Sequence, residues 1–242
     1  MQRIRVDENV SFQLLNEAVR RSPEGEILLD GCVGQRYIAA GLSGKHIVIN
    51  GVPGNALGAY LNGCDIEVFG NAQDATGDTM NLGEIVIHGN AGDATGYAMR
   101  GGKIYIQGNT GYRTGIHMKA YRDQKPVIVA GGRAGSFLGE YQAGGIIVLL
   151  GLHTDGLPII GNFCGSGMHG GVMYLRCKDL PHGVPEQISV EKKRGTDIPE
   201  IKEIVKDYCG KFDLDADALL DADFCILTPN TANPYQRMYT NN

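Results

Sequence analysis

Asp74 and Asp93 stand 19 residues apart, at the same place in two successive copies of a repeat. Carboxylates so placed suggest acid–base or nucleophilic chemistry. Stacked strands would bring them to roughly 5 Å, near the separation at which retaining glycosidases hold their pair. The next copy carries Tyr112 there, and both aspartates lie in glycine-rich turns, where Asp commonly serves the backbone. A turn role is the expectation.

Three histidines have suggestive surroundings. His88 ends a strand, His117 lies in GIHMK and His169 in GMHGG. They share no column of the repeat, so satisfied turn or core histidines are expected rather than a metal cluster. Six cysteines, Cys32, Cys64, Cys164, Cys177, Cys209 and Cys225, are scattered with no C-x-x-C pair. Spacing gives a zinc or iron–sulfur site no support, and buried small hydrophobes are expected. Asn71, Asn90 and Asn109 recur at 19 residues and suggest a rung-to-rung amide ladder. Leu61, Met80, Met99 and Met118 keep the same spacing. They read as interior gap-fillers, with soft metal ligation as the alternative. No catalytic, cofactor-binding or metal-binding residue is assigned.

What positions these residues is the repeat itself. Gly51, Gly70, Gly89 and Gly108 fall 19 apart, in step with Gly58, Gly77, Gly96 and Gly115, and both columns resume at Gly132 and Gly139. A short apolar strand precedes each first-column glycine: HIVIN (46–50), DIEVF (65–69), EIVIH (84–88), KIYIQ (103–107), PVIVA (126–130) and GIIVLL (145–150). Aligned, they predict one inward column of Ile47, Ile66, Ile85, Ile104, Val127 and Ile146. A second holds Ile49, Val68, Ile87, Ile106, Val129 and Val148. The residues between, Val48, Glu67, Val86, Tyr105, Ile128 and Ile147, face outward. They turn apolar along the stack, which predicts a cover by the chain's own terminal helices or by another subunit.

One strand per period of about 20 residues predicts an all-β solenoid. The expected form is a right-handed single-stranded parallel β-helix with short helices at its N- and C-terminal ends. The organisation read from the chain is an N-terminal helical cap (1–33), a glycine-repeat β-helix (34–178) and a C-terminal helical cap and tail (179–242). Helices are predicted over 11–21, capped by Ser11, over 198–209, capped by Asp197 and ended by Gly210, and over 215–221. The last stretch, TPNTANPYQRMYTNN, reads as turn-rich and extended. The glycines, 36 of 242 residues, lie on a lattice and so serve turns rather than a flexible linker. The Gly-x-x-Gly-x-x-x-Gly runs precede no helix, which argues against a phosphate cradle.

A formal charge of −5 gives no electrostatic footprint for nucleic acid. The N-terminus MQRIRVDENV has no apolar run and no stretch is long enough to span a bilayer, so a cytoplasmic protein is expected.

The wording of the repeats carries more. GQRYIAAGLSG (34–44), GVPGNALGAYLNG (51–63), GNAQDATGDTMNLG (70–83), EIVIHGNAGDATGYAMRGG (84–102), GYRTGIHMK (111–119), AGSFLGEYQAGG (134–145) and GSGMHGG (165–171) resemble the glycine-repeat (GXGXG) domain that ends the large, alpha subunit of glutamate synthase. Here it stands as a chain of its own, as in the split form of that enzyme. The resemblance implies a β-helix without catalytic residues, a scaffold for an amidotransferase subunit and a synthase subunit. Those partners would carry FMN and an iron–sulfur cluster and make glutamate from glutamine and 2-oxoglutarate, in nitrogen assimilation. The alternative is a component resembling the β-helix subunit of formylmethanofuran dehydrogenase. A third reading is an independent carbohydrate-active β-helix enzyme. No nucleic-acid or membrane partner is implied, and the isolated chain could self-associate through its apolar outer face.

Overall fold

Alternating aliphatic residues build the stack. In the computed structural model, which describes residues 1–7 and 9–230, the strands from β2 to β9 each bury at least one side and pair with the strand before. The strands are β1 (Gln2–Arg5), β2 (Glu26–Val33), β3 (His46–Val52), β4 (Asn62–Phe69), β5 (Leu82–Ile87), β6 (Lys103–Ile106), β7 (Val127–Ala130), β8 (Ala143–Leu149), β9 (Gly170–Arg176), β10 (Ile188–Arg194) and β11 (Asp223–Pro229). The helices are α1 (Phe12–Arg21), α2 (Pro199–Phe212) and α3 (Ala216–Leu220).

The 19-residue period sets the register over the first repeats. Ile47 pairs with Ile66, Ile66 with Ile85, and Ile85 with Ile104, all parallel. These residues are fully buried or nearly so. Beyond the insertion at 119–125 the expected columns are off by one. Ile104 pairs with Ile128 rather than Val127, and Ile128 with Ile147. The second inward column then runs from Ile106 to Ala130 and Leu149. A one-residue slip moves every side chain to the opposite face. Val127, Val129, Ile146 and Val148 therefore face outward. PVIVA and GIIVLL are apolar on both faces, so alternation could not fix their register.

The expected all-β solenoid, a right-handed parallel β-helix, is overturned. The eleven strands form one mixed sheet in the order β1-β2-β3-β4-β5-β6-β7-β8-β9-β11-β10. The ladder is parallel from β1 to β9. It then turns antiparallel, with β11 on β9 and β10 on β11. With α2 against the outer face, the arrangement is of α/β type. The physical reason lies outside the repeat. The segment after β10 runs back over the sheet as α2, and the short link from α3 to β11 delivers the chain in the reverse direction. Nothing periodic marks β1, β10 or β11, so the repeat could not reveal them. Both edge strands carry charge, Arg3 and Arg5 on β1 and Glu191, Lys192, Lys193 and Arg194 on β10, which discourages edge-to-edge pairing.

The outer face is covered by the chain's own C-terminal helix. Ile201, Val205, Tyr208 and Phe212 of α2 pack on Val86, Tyr105, Val129, Val148 and Tyr174. Polar contacts pin the helix. Tyr208 Oη donates to the Ile106 carbonyl at 3.1 Å. Tyr105 Oη donates to Asp207 Oδ2 at 2.8 Å. Lys103 pairs with the same carboxylate, and Lys211 with Glu84.

Helix ends differ in detail from expectation. Ser11 precedes α1, but its hydroxyl donates to Gln13 rather than capping the backbone. Ile198, not Asp197, is the N-cap of α2, and Gly210 lies inside the helix. Left-handed Asp213 ends it, its N–H reaching the Cys209 carbonyl. Asp215 caps α3 by accepting from the N–H groups of Asp217 and Ala218. Most of the TPNTANPYQRMYTNN tail lies outside the described residues.

Candidate interaction surface

The aspartates are used by the backbone. Asp74 Oδ1 accepts the Asp93 N–H at 2.9 Å, and Asp93 Oδ1 accepts the Tyr112 N–H at 2.8 Å. The asparagine column does the same, with the side-chain oxygen bonded to main chain rather than amide to amide. Asn71 accepts from Asn90 N at 2.8 Å, Asn90 from Asn109 N at 2.7 Å, and Asn109 from Arg133 N at 2.9 Å. The glycines make room for these oxygens. A Cβ at Gly108 would lie 2.3 Å from Asn90 Oδ1, and one at Gly111 would lie 2.1 Å from Asp93 Oδ1. The Gly-x-x-Gly spacing is the spacing of the two side-chain ladders.

The histidines are separated and each is engaged. His88 Nε2 lies 2.8 Å from Glu67 Oε1, with the ring stacked on Phe69 and edge-on to Phe212. His117 stacks on Tyr141 at 5.0 Å. His169 Nδ1 is 3.1 Å from the Gly167 carbonyl. Among the described residues no three His, Cys, Asp or Glu side chains gather as a metal site. Five cysteines are buried and Cys177 is half-buried. Burial pushes the Cys32 and Cys164 thiols up to about 12.

Leu61, Met80, Met99 and Met118 are fully buried. Gln142 and Met168 extend their column, each bonding its N–H to a second-column glycine as the methionines do. Gln142, fully buried, donates from Nε2 to the carbonyls of Gly144 and Gly145.

The surface that sequence reasoning missed lies at two turn corners. Residues with left-handed backbone recur there on successive rungs: Ala56, Ala75, Ala94, Arg113, Phe137 and Phe163 at one corner, and Tyr60, Thr79, Ala98, His117 and Tyr141 at the other. L-residues adopt this region at a cost. Here rung-to-rung backbone bonds hold them, such as Ala94 N to the Tyr112 carbonyl and Arg113 N to the Ser136 carbonyl. At the first corner the early positions carry alanine and the late ones large side chains. The Arg113 guanidinium lies 4.9 Å over the Phe137 ring and bonds Glu140 Oε2 at 3.1 Å. Phe137 stacks on Phe163 at 5.0 Å, and Tyr97 meets His117 edge-on. Phe163 is 56% exposed and Tyr112 55%.

Aromatic rings with arginine are the composition of a protein–protein hot spot. Two insertions hide the pattern in the sequence. Phe137 follows Arg113 by 24 residues and Phe163 follows Phe137 by 26, not 19.

Residues 2–229 match the family model described as the GXGXG motif. This chain belongs to the GXGXG motif family. The match reaches from β1 through β11, well beyond the stretch 34–171 whose wording carried the resemblance. A curated relative, the uncharacterized protein MJ1350 of Methanocaldococcus jannaschii, is 39% identical over 235 residues, covering 93% of this chain and 90% of its own. In structure, the GXGXG chain resembles a chain of the formyltransferase/hydrolase complex (FhcABCD) from Methylorubrum extorquens, solved in complex with methylofuran. The TM-score is 0.66 at 19% identity, with 88% of this chain and 77% of that chain covered. Identity at that level speaks for a shared fold alone. Among the described residues no helix is long and apolar enough to cross a membrane.

Proposed function

We propose that this GXGXG protein is a non-catalytic scaffold subunit of a split glutamate synthase in the cytoplasm. It would hold an amidotransferase subunit and a synthase subunit in place. The observation that carries the reading is the family match over residues 2–229, joined to the glutamate synthase wording of the repeats. The exposed corner of Arg113, Phe137 and Phe163 supports it as a surface for a partner. FMN and the iron–sulfur cluster belong to the partner chains in this reading. The asparagine and aspartate side chains of the repeat serve its own backbone, which fits a structural part.

A second reading follows from the likeness to a chain of FhcABCD. There the protein would be the glycine-repeat component of a formylmethanofuran dehydrogenase-type complex. Tagged chain recovered from its native cells, with mass spectrometry of what comes along, separates the two. Synthase and amidotransferase chains are expected. Recovery of formyl-transfer chains would replace the first reading with the second. Glutamate formation by the purified chain alone, lost on changing one of its residues, would overturn the scaffold role.

A further inference from the structure

Cys177 and Cys225 are 48 residues apart in sequence and adjacent in space. Cys225 sits on β11 directly opposite Leu175 of β9. Cys177 follows the last residue of β9, two beyond Leu175, and packs against the same inner cluster that holds Cys225. Cys177 Sγ lies 3.5 Å from the carbonyl oxygen of Leu175, the residue opposite Cys225, and Cys225 Sγ lies 3.8 Å from the Cys177 carbonyl oxygen. Their access to solvent differs. Cys225 is fully buried, whereas Cys177 is half-buried and lines an open recess of about 420 Å³ with Asn162, Asp179 and His182.

We propose that Cys177 and Cys225 are a dithiol oxidation site, closed to a disulfide by a peroxide that enters through this recess. The accessible sulfur reacts first. The Cys177 thiolate attacks hydrogen peroxide, the O–O bond breaks, and a sulfenic acid and a water form. Cys225 sulfur then attacks the Cys177 sulfur. The S–O bond breaks, and hydroxide leaves with the Cys225 proton as a second water. Two thiols lose two electrons and the peroxide gains them.

Burial, and then the neighbouring Cys225, push the Cys177 thiol up to about 12. Little thiolate is present at neutral pH, so the site answers sustained oxidation rather than brief pulses. The bond would join β9 to β11 at the point where the sheet changes from parallel to antiparallel. The segment it encloses contains β10, α2 and α3, so the cover of the outer face becomes covalently tied to the stack.

The test uses the full-length protein, incubated with hydrogen peroxide over hours and then alkylated. Intact mass spectrometry is expected to show a loss of about 2 Da, reversed by reductant. Non-reducing peptide maps should join Cys177 to Cys225, and melting should shift upward by several degrees. Cys177→Ser should melt like the reduced protein and lose the 2 Da change, while Cys32→Ser should keep it. Complete alkylation of both cysteines after peroxide, a different linked pair, or the mass loss persisting in Cys177→Ser would each overturn the proposal.

Discussion

Gly96 lies directly beneath Ile128: a Cβ at position 96 would stand 2.4 Å from Ile128 Cδ1. The same contact recurs between Gly77 and Ile104, and between Gly115 and Ile147. Gly96 also has φ +70°, in the region that β-branched residues tolerate worst. Gly96→Val therefore meets both overpacking and backbone strain. Together these cost roughly 2–5 kcal/mol. Thermal unfolding should fall by about 5–15 °C. An unchanged melting temperature would mean that this glycine is not the one the stack requires.

The tether between α2 and the sheet predicts an acid dependence. Burial alone would raise the Asp207 carboxyl, but hydrogen bonds from Lys103 and Tyr105 outweigh it and hold the group below the usual carboxylate value. A depressed folded-state pKa stabilises above the unfolded value and is lost as pH falls through the folded one. Wild type should exceed Asp207→Asn by roughly 1 kcal/mol at pH 7, since the carboxylate is partly exposed and screened. The gap should close below about pH 4. A gap that stays constant down to pH 2 in denaturant titrations would remove the charge from the explanation.

Asp93 offers a direct comparison of backbone service with chemistry. Asp93→Asn keeps an oxygen for the Tyr112 N–H, as Asn71 and Asn90 do one column away. It should leave stability within about 0.5 kcal/mol, whereas Asp93→Ala should lose about 1 kcal/mol. A polysaccharide-cleaving activity abolished by Asp93→Asn at full stability would restore the carboxylate pair as a catalytic site.

The aromatic corner should matter to assembly and not to folding. Ala94 already occupies the corner position of Arg113 on the preceding rung with φ 53°, so Arg113→Ala and Phe163→Ala suit the backbone. Each is expected to reduce recovery of partner chains about tenfold, the loss of a single hot-spot residue. Melting should move by no more than about 2 °C. Equal recovery from both variants would place the partner elsewhere on the molecule.

Legibility followed the strength of local alternation. HIVIN and EIVIH have polar residues at both ends that fix the phase of the apolar run, so Ile47, Ile66, Ile85 and Ile104 could be aligned by period alone. PVIVA offered no polar residue to break the tie between Val127 and Ile128, and that choice rested on tertiary pairing. The glycine and asparagine columns were visible because their geometry repeats rung by rung. The closing strands β10 and β11 were not, since each occurs once and pairs antiparallel. The corner aromatics escaped because their spacing is broken by the insertions, and because left-handed backbone for Arg113 or Phe137 is dictated by neighbouring rungs. The dithiol of Cys177 and Cys225 arises only when β11 returns to β9.

Each strand of a long sheet pairs only with its immediate neighbours, so such a sheet tends to open locally rather than all at once. α2 changes that over part of the molecule. Its 14 residues span about 21 Å, close to the roughly 19 Å across the strands from β5 to β9. Lys211 holds one end at Glu84 of β5 and Glu200 the other at Tyr174 of β9. The helix is a splint fixed at both ends. The five strands beneath it are bound into a single cooperative unfolding unit, while β1 to β4 depend on pairwise support. Amide protons in β3 and β4 should then exchange through partial openings, and those in β6 to β8 only when the whole splinted block unfolds.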